Sequence, residues 1–599
     1  MSALPALDTL LQDAIRLHTA RQLAEAEAAY AAILQQRPDH GGVLRLLGLL
    51  LSQQRRHAEA LVCYEHALRQ DRDDAKLHLS HALCLRALGR QDAALAAFDA
   101  ALKLAPERVD IQAERATLLF DLGRHAEALP GLDLAARAFP DRVDIAVARH
   151  FSAGMLCRWD AEADAAVTRL LSGTAASIGT VNPFPLVFFT EDAALQRRWA
   201  ERRAAQVAAT KSIALPPPSW PAARADRRIR IGYLSHDLRN HAVGHIMAEL
   251  FELHDRGRFE IALLSTGRDD GSAIHRRYRA IPGFRDLAGC DLATLGHEIR
   301  ALQIDILVDL QGYTVGSFAP LLAQRLAPLQ VGWIGFPGTM GGLHVDYIMA
   351  DATVIPAGAE SHYSEQVIRL PHCYQPNNRQ RSVAETAPRR DYGLPEDAVV
   401  FACFNRPVKI RPAMFAAWMR ILQAVPDSVL LLYAPAEEAA ANLRRAATAH
   451  GIASERLVFA GNLPQPQYLA RYRAVDLVLD TFPYGSHSTA SDCLWAGCPL
   501  LSLSGETFAS RVAGSILQAV GLQELAMSEL EDYVATAIRL GRDRAALSAL
   551  RQKLQAGLAA APLFDTPQMV RDVEAAYAAV WDLQCRGEAP RGIPLPARR

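Results

Sequence analysis

The chain has no excess of either charge. Lys plus Arg total 64 and Asp plus Glu total 65 over 599 residues, which leaves a formal net charge of −1. So balanced a composition gives no electrostatic case for nucleic acid or an acidic membrane surface as a partner. Cysteine is sparse: nine residues, an odd number, with no Cys-x-x-Cys pair. That pattern excludes a disulfide framework and a zinc ribbon, and it suits a reducing compartment, so a cytoplasmic location is expected. No stretch nears the roughly 18 uncharged apolar residues that cross a bilayer. The opening residues Met1–Asp8 lack the basic cluster and apolar core of a secretion signal. No Gly-x-Gly-x-x-Gly follows the first apolar strand, so a dinucleotide cofactor is not expected. His241 and His245 share helical spacing, but no His-Glu-x-x-His and no third ligand accompany them. The one Asp-x-Asp, Asp71 to Asp73, lies far from the chemistry described below. No metal and no cofactor are expected.

What is present begins with a repeat. Ala14, Gly48, Ala82 and Ala116 recur every 34 residues, as do Ala26, Ala60, Ala94 and Ala128. Tyr30, Tyr64, Phe98 and Leu132 share a phase, and so do Pro38, Arg72, Pro106 and Pro140. This is the tetratricopeptide period, a helix–turn–helix in each unit. Small residues suit the crossing of paired helices, the aromatic or leucine fills the space to the next unit, and proline ends the second helix. Gly89-Arg90 and Gly123-Arg124 mark turns inside two units. Residues 143–172 read as a degenerate pair of helices capping the stack. Such a solenoid presents a concave surface for peptide or protein, or serves as a spacer.

Residues 175–228 form a helical transition that ends in the stiff Leu215-Pro-Pro-Pro-Ser-Trp-Pro221. Short apolar strands then alternate with helix-compatible segments, first from Ile229 and again from Val399. That alternation implies parallel sheets. The expected architecture is an all-α solenoid (1–174) and a transition (175–228), followed by two Rossmann-like halves (229–385 and 386–565). A C-terminal helix with a disordered tail (566–599) completes it. Ligands in such sheets sit beyond the carboxyl ends of the strands.

The run Asp480-Thr-Phe-Pro-Tyr-Gly-Ser-His-Ser-Thr-Ala-Ser-Asp492 follows the apolar Leu477-Val-Leu479. Gly485 permits a tight turn. His487, Ser488 and Thr489 then stand at a helix N-terminus, where free N–H groups and the helix dipole attract anions. Asp492, one turn inside, could accept hydrogen bonds from a ribose. A nucleotide diphosphate suits this socket; an ordinary capped helix is the alternative.

Together with this run, Asn240-His241, Gln311-Gly-Tyr-Thr314, Trp333-Ile-Gly-Phe-Pro-Gly-Thr339, Phe404-Asn405 with Lys409, and Gly505-Glu-Thr-Phe-Ala-Ser-Arg511 resemble the bacterial form of protein O-linked N-acetylglucosamine transferase. That family joins a tetratricopeptide array to a GT-B catalytic region. The resemblance implies an inverting, metal-independent transfer of GlcNAc from UDP-GlcNAc to serine or threonine hydroxyls of a protein acceptor held by the repeats. It implies that Lys409 neutralises the departing diphosphate and that His487, Ser488 and Thr489 hold it. It further implies that Asp492 binds the ribose and that Leu463, Tyr468, Arg471 and Arg406 serve the UDP side. His241 would meet the sugar and the incoming hydroxyl, with Asp237 or a donor phosphate oxygen as other candidates for the base. Gln311, Pro337, Gly338 and Thr339 would line the sugar pocket. The chain departs from the animal members at Arg406, Val408, Gln465 and Tyr468, and Gln12, Leu46, Ser80 and Glu114 replace their asparagine ladder. Another donor (O-fucosyl or glucosyl transfer), or a scaffold with a degenerate catalytic region, remains open at this point.

Overall fold

The structure, a computed structural model, describes residues 7–173, 181–210, 213, 215–220 and 227–596. Most of the opening segment and the last residue of the proline-rich linker lie outside the described residues. The chain divides into two units, Met1–Ala153 and Gly154–Arg599.

The first unit is helical. Leu7–Thr19 pairs with Leu23–Gln36, Gly41–Gln53 with His57–Gln70, Ala75–Ala87 with Gln91–Leu104, and Val109–Asp121 with His125–Ala138. The alanines at 26, 60, 94 and 128 are fully buried, as are Tyr30, Phe98 and Leu132. Gly48 shows why the crossing residue is small: a Cβ there would meet the Tyr64 ring at 2.6 Å. The turn inside each unit needs a left-handed residue. Gly89 and Gly123 supply it at φ +71° and +73°, while Arg21 and Arg55 adopt it at +59° and +62° in the first two units. The arginines cost strain that glycine avoids, so only the last two turns are marked by glycine in the sequence.

Within the second unit, Leu156 and Trp159 meet the helices Glu437–Ala449 and Pro412–Ala424. The Asn442 amide donates to the Leu156 carbonyl at 2.7 Å, and the Trp159 ring lies 5.3 Å from Phe415. The unit boundary therefore falls earlier than the expected 174, because these side chains belong to another core.

Two parallel sheets follow. Among the described residues the first has eight strands: β1 (Ile229–Ser235), β2 (Phe259–Ser265), β3 (Phe284–Asp286), β4 (Ile306–Asp309), β5 (Leu329–Gly332), β6 (Tyr347–Asp351), β7 (Gln366–Leu370) and β14 (Ile593–Pro594). Their order is β14-β7-β6-β5-β4-β1-β2-β3. The second has six: β8 (Val399–Cys403), β9 (Ser428–Tyr433), β10 (Leu457–Ala460), β11 (Leu477–Leu479), β12 (Leu500–Leu503) and β13 (Ala526–Met527), in the order β10-β9-β8-β11-β12-β13. Strands buried on both faces read as continuous apolar runs, as β8 and β11 do; the outer strands β3 and β14 are short and partly exposed.

The C-terminal segment corrects one expectation. Helix Thr566–Cys585 returns to the first sheet, where Glu574 accepts from the Asp255 N–H at 2.7 Å and meets His254 Nδ1 at 3.0 Å. Beyond it, Ile593 and Pro594 pair with Ile368 and Arg369 of β7. The tail expected to be disordered thus extends a sheet edge as far as Pro594. An edge strand tolerates the proline because only one side needs a ladder.

Candidate active site

Both sheets reverse strand order once, and both reversals carry the chemistry. In the second sheet the reversal lies between β8 and β11. Asn405, just past β8, directs its amide nitrogen at Asp480 Oδ1 (3.1 Å), Thr481 Oγ1 (2.9 Å) and Ser486 Oγ (2.8 Å), all just past β11. Asp480 is fully buried. Its Oδ1 accepts from the backbone of Thr481 (2.8 Å) and from both the backbone and hydroxyl of Ser486 (2.7 Å each), and its Oδ2 accepts from Ser502 (2.7 Å). A carboxylate with this many donors folds the loop into a tight turn. Burial raises the Asp480 carboxyl above its ordinary value, against the hydrogen bonds and the nearby Lys409.

The turn aims the helix Ser488–Trp495 at the cleft. The first N–H groups of any helix have no intrahelical partner. Thr489 Oγ1 donates to Asn405 Oδ1 at 3.1 Å, which fixes the first turn to the second sheet. His487 precedes the helix. Its Nε2 lies 3.1 Å from the Ala509 carbonyl and its ring 4.7 Å from Tyr484. A carbonyl only accepts, so Nε2 carries the proton and Nδ1 is left bare in the neutral ring. Burial, with Lys409 beside it, pushes the imidazole down to about 3. In this form the ring does not donate to an anion through Nδ1; the hydroxyls and N–H groups of Ser488 and Thr489 supply the donors.

Lys409 ends a short turn after β8. Its Nζ donates to the Gly485 carbonyl at 2.7 Å and sits 4.0 Å from the Tyr484 ring centre. Burial lowers the ammonium to about 8, with Asp480 holding it up and Arg406 pressing it further down. A poorly hydrated cation beside a helix N-terminus is an efficient partner for developing negative charge.

In the first sheet the reversal lies between β1 and β4. Gln311, past β4, accepts from the His236 N–H at 3.0 Å and donates to Asp237 Oδ2 (2.9 Å), Thr314 Oγ1 (2.9 Å) and the Val315 carbonyl (2.6 Å). Its amide is spent on holding the loop after β1. His241 caps the helix Ala242–Leu253, with Nδ1 3.3 Å from the Val243 N–H and 3.5 Å from Asp237 Oδ2. Burial lowers the imidazole below its ordinary value, while Asp237 opposes this. His241 is therefore a neutral group near neutral pH, with a carboxylate beside it to take up charge.

His241, Asp237, Arg239 and Gln311 from the first half share one cleft of about 460 Å³ with Asn405, Arg406, Lys409, His487, Ser488 and Thr489 from the second. Other expected residues stand elsewhere. Gly338 and Thr339 line a separate small cavity with Trp199 and Tyr363. Thr339 is turned there by its hydrogen bond to the buried Glu365 at 2.7 Å. Pro337 is buried, and Ile334 and Gly335 occupy the cleft wall instead. Arg471 is only 3% exposed; it lies 4.3 Å beneath the Phe404 ring and donates to the Gly461 carbonyl at 3.0 Å. Tyr468 hydrogen-bonds Tyr472 at 2.7 Å, and Leu463 is exposed. Arg471 and Tyr468 back the cleft through Phe404 rather than line it. Asp492 is paired with Arg381 at 2.6 Å. Burial raises this carboxyl to about 6, and Arg381 draws it back.

The residues the sequence reading did not single out are Gln375, Tyr484, Phe184, Phe188 and Arg381. The first four line the cleft, and Phe188 packs 4.5 Å from Tyr484. Tyr484 lies inside the Asp480–Asp492 run, while the other four stand outside every motif and take their roles from distant partners.

Comparison with known proteins agrees with this fold. Tetratricopeptide repeats match residues 11–75, 45–108 and 79–143. The probable UDP-N-acetylglucosamine–peptide N-acetylglucosaminyltransferase SEC of Arabidopsis thaliana is 32% identical over 457 residues, covering 73% of this chain and 47% of the relative. The probable enzyme of the same class SPINDLY of Solanum lycopersicum is 30% identical over 384 residues, covering 62% and 41%. The chain thus spans about half the length of the curated relatives it matches. A solved structure of a mutant O-GlcNAc transferase from Thermobaculum terrenum aligns with a TM-score of 0.60 and 28% identity over 97% of this chain and 98% of that one. The twin sheets are the GT-B arrangement expected from the sequence. Glycosyl transferase family 41 matches residues 180–380 and 376–573, and the chain belongs to that family.

Proposed function

We propose that this chain is an inverting glycosyltransferase that moves GlcNAc from UDP-GlcNAc to serine or threonine hydroxyls of proteins. The observation that carries the reading is the meeting of Lys409 and the Ser488–Trp495 N-terminus with His241 in one cleft. In this reading the diphosphate rests on the backbone and hydroxyls of Ser488 and Thr489. Lys409 stabilises the charge that grows on UDP as the anomeric bond breaks. Asp492, held by Arg381, accepts from the ribose with its other oxygen. His241 receives the proton of the acceptor hydroxyl at Nε2 when Nδ1 carries its hydrogen toward Asp237, 3.5 Å away, in place of accepting from the Val243 N–H, and Asp237 then stabilises the imidazolium. The lysine and the helix terminus serve in place of a divalent ion, so transfer needs no metal. The repeats hold the acceptor protein; among the described residues no helix is long and apolar enough to cross a membrane.

A donor panel tests this. With EDTA present, UDP-GlcNAc should be turned over at least about tenfold faster than UDP-glucose or GDP-fucose, with GlcNAc appearing on hydroxyl side chains by mass spectrometry. A different preferred donor, or turnover that returns only with added Mn²⁺, defeats the proposal.

The pH profile follows from the two shifted groups. Lys409 works protonated, and burial brings it to about 8, so kcat/KM should fall as pH rises through about 8. Asp492 works ionised, and burial raises it to about 6, so kcat/KM should also fall as pH drops through about 6. The profile in kcat/KM reports the free enzyme. In kcat the alkaline limb should move upward, because a bound diphosphate favours the ammonium. A flat profile between pH 6.5 and about 9.5 would count against Lys409 as the charged partner.

A further inference from the structure

A second cluster lies outside the cleft, on the loop after β2 and the helix Ala273–Arg279 that follows it. Asp269, Asp270 and His275 each place one ligand atom within 4.8 Å of the others, and none of them lines the cleft. His275 is 1% exposed. Its Nδ1 lies 3.1 Å from the Leu238 carbonyl. The carbonyl can only accept, so Nδ1 carries a hydrogen. In the neutral ring Nε2 then holds a bare lone pair. That atom is buried and has no hydrogen-bond partner among the described residues, and it faces Asp269 Oδ2 at 3.7 Å. A lone pair opposed to a carboxylate oxygen is unfavourable unless a proton or a metal ion stands between them, and Nε2 makes no hydrogen bond to Asp269 at this distance.

We propose that Asp269, Asp270 and His275 form a binding site for a divalent transition-metal ion of the zinc class. One imidazole nitrogen and two carboxylate oxygens form a donor set such ions accept, with water completing the shell. The Nδ1–H to carbonyl bond is the contact that orients a metal-binding imidazole and raises its basicity. The Asp270 carboxylate is held in place by the Asn240 N–H at 2.8 Å and the Ser272 N–H at 3.0 Å. Ligands about 2.1 Å from an ion at tetrahedral angles stand about 3.4 Å apart. The carboxylates, on an exposed loop, need to close by little more than an ångström. One basic group competes: Arg279 reaches Asp269 Oδ2 at 3.4 Å and Asp286 at 4.0 Å. The guanidinium is 52% exposed and free to swing toward Asp286.

The ion would fasten two loops. Asp270 Oδ2 accepts the Asn240 N–H at 2.8 Å, and Asn240 Oδ1 meets His245 Nε2 at 2.9 Å. Asn240 directly precedes His241, so the site stiffens the approach to the cleft without entering it. Metal-independent transfer concerns the cleft and is unaffected.

The test uses the full chain after chelator treatment, titrated with Co²⁺ and read by its visible d–d bands, with Zn²⁺ as competitor. One equivalent should bind, with a nitrogen–oxygen spectrum and no sulfur charge-transfer band. Asp269→Asn changes a side chain that is 46% exposed and so should preserve the fold. It should weaken binding about tenfold or more, and His275→Gln should do the same. Arg279→Ala should tighten binding. No Co²⁺ uptake, uptake unchanged by Asp269→Asn, or a ¹⁵N spectrum showing His275 as an imidazolium in the presence of Zn²⁺ would each overturn the site.

Discussion

Replacing Lys409 by methionine should lower kcat/KM for donor turnover by about 10²–10³-fold, a barrier increase of about 2.7–4 kcal/mol by analogy with the loss of one preorganised oxyanion donor. The side chain stands over Tyr484 and beside Gly485, at the mouth of the helix N-terminus. Methionine keeps the packing against the ring and loses only the charge. Fold stability should not suffer. Burial depresses the folded value to about 8, below the ordinary 10.5 of a lysine. Between those values the unfolded chain binds more protons, so stability rises with pH there. The penalty of burying the ammonium is therefore fully present below about pH 8 and disappears above 10.5. At pH 7 the methionine variant should melt at the same temperature as the parent or higher. Activity lost without stability lost is the mark of a group placed for chemistry. Turnover equal to the parent in such a folded variant would remove Lys409 from the leaving-group role.

Asp480→Ala should have the largest effect on the fold. This carboxylate accepts from Asn405, Thr481, Ser486 and Ser502 with no exposure to water. Alanine would strand buried donors, each costing about 1–3 kcal/mol. The sum should resemble the loss of one member of a buried ion pair, about 3–5 kcal/mol, read as a lower midpoint in urea. UDP affinity should fall as well, because Ser486 leads directly into His487 and Ser488. Asp480→Asn separates shape from charge: it keeps one acceptor oxygen, and it removes the negative charge that holds the Lys409 ammonium up. Its alkaline limb in kcat/KM should therefore move below that of the parent. An unfolding free energy from urea titration of Asp480→Ala within about 1 kcal/mol of the parent would show that the network is not the support described.

Some of this was legible in residue order. The 34-residue phase of Ala26, Ala60, Ala94 and Ala128 located the solenoid because close helix crossings accept only small residues. Apolar runs at Ile229, Phe259 and Val399 located strands because parallel strands are buried on both faces. The run from Asp480 to Asp492 marked a turn and a helix N-terminus because glycine, serine and threonine have local conformational roles. Other features had no local sign. Strands β6 and β7 carry no local sign because short runs owe their strand state to the neighbours they pair with. The bond from Arg381 to Asp492 spans 111 positions, and nothing near either residue announces it. The family resemblance implies Thr339 at the sugar pocket; in the structure its hydroxyl donates to the buried Glu365, 26 positions on, and it lines a separate cavity.

Residue order by itself determined the repeat array, the alternation into two sheets and the loops that hold the reactive groups, since periodicity and turn chemistry act over a few neighbours. Tertiary structure alone decided which loops meet, how strand order reverses, that Asn405 and Gln311 are spent as struts, and that burial brings Lys409 and Asp492 toward neutral pH. Desolvation and pairing depend on which groups crowd a side chain in space, and those partners lie a hundred residues away.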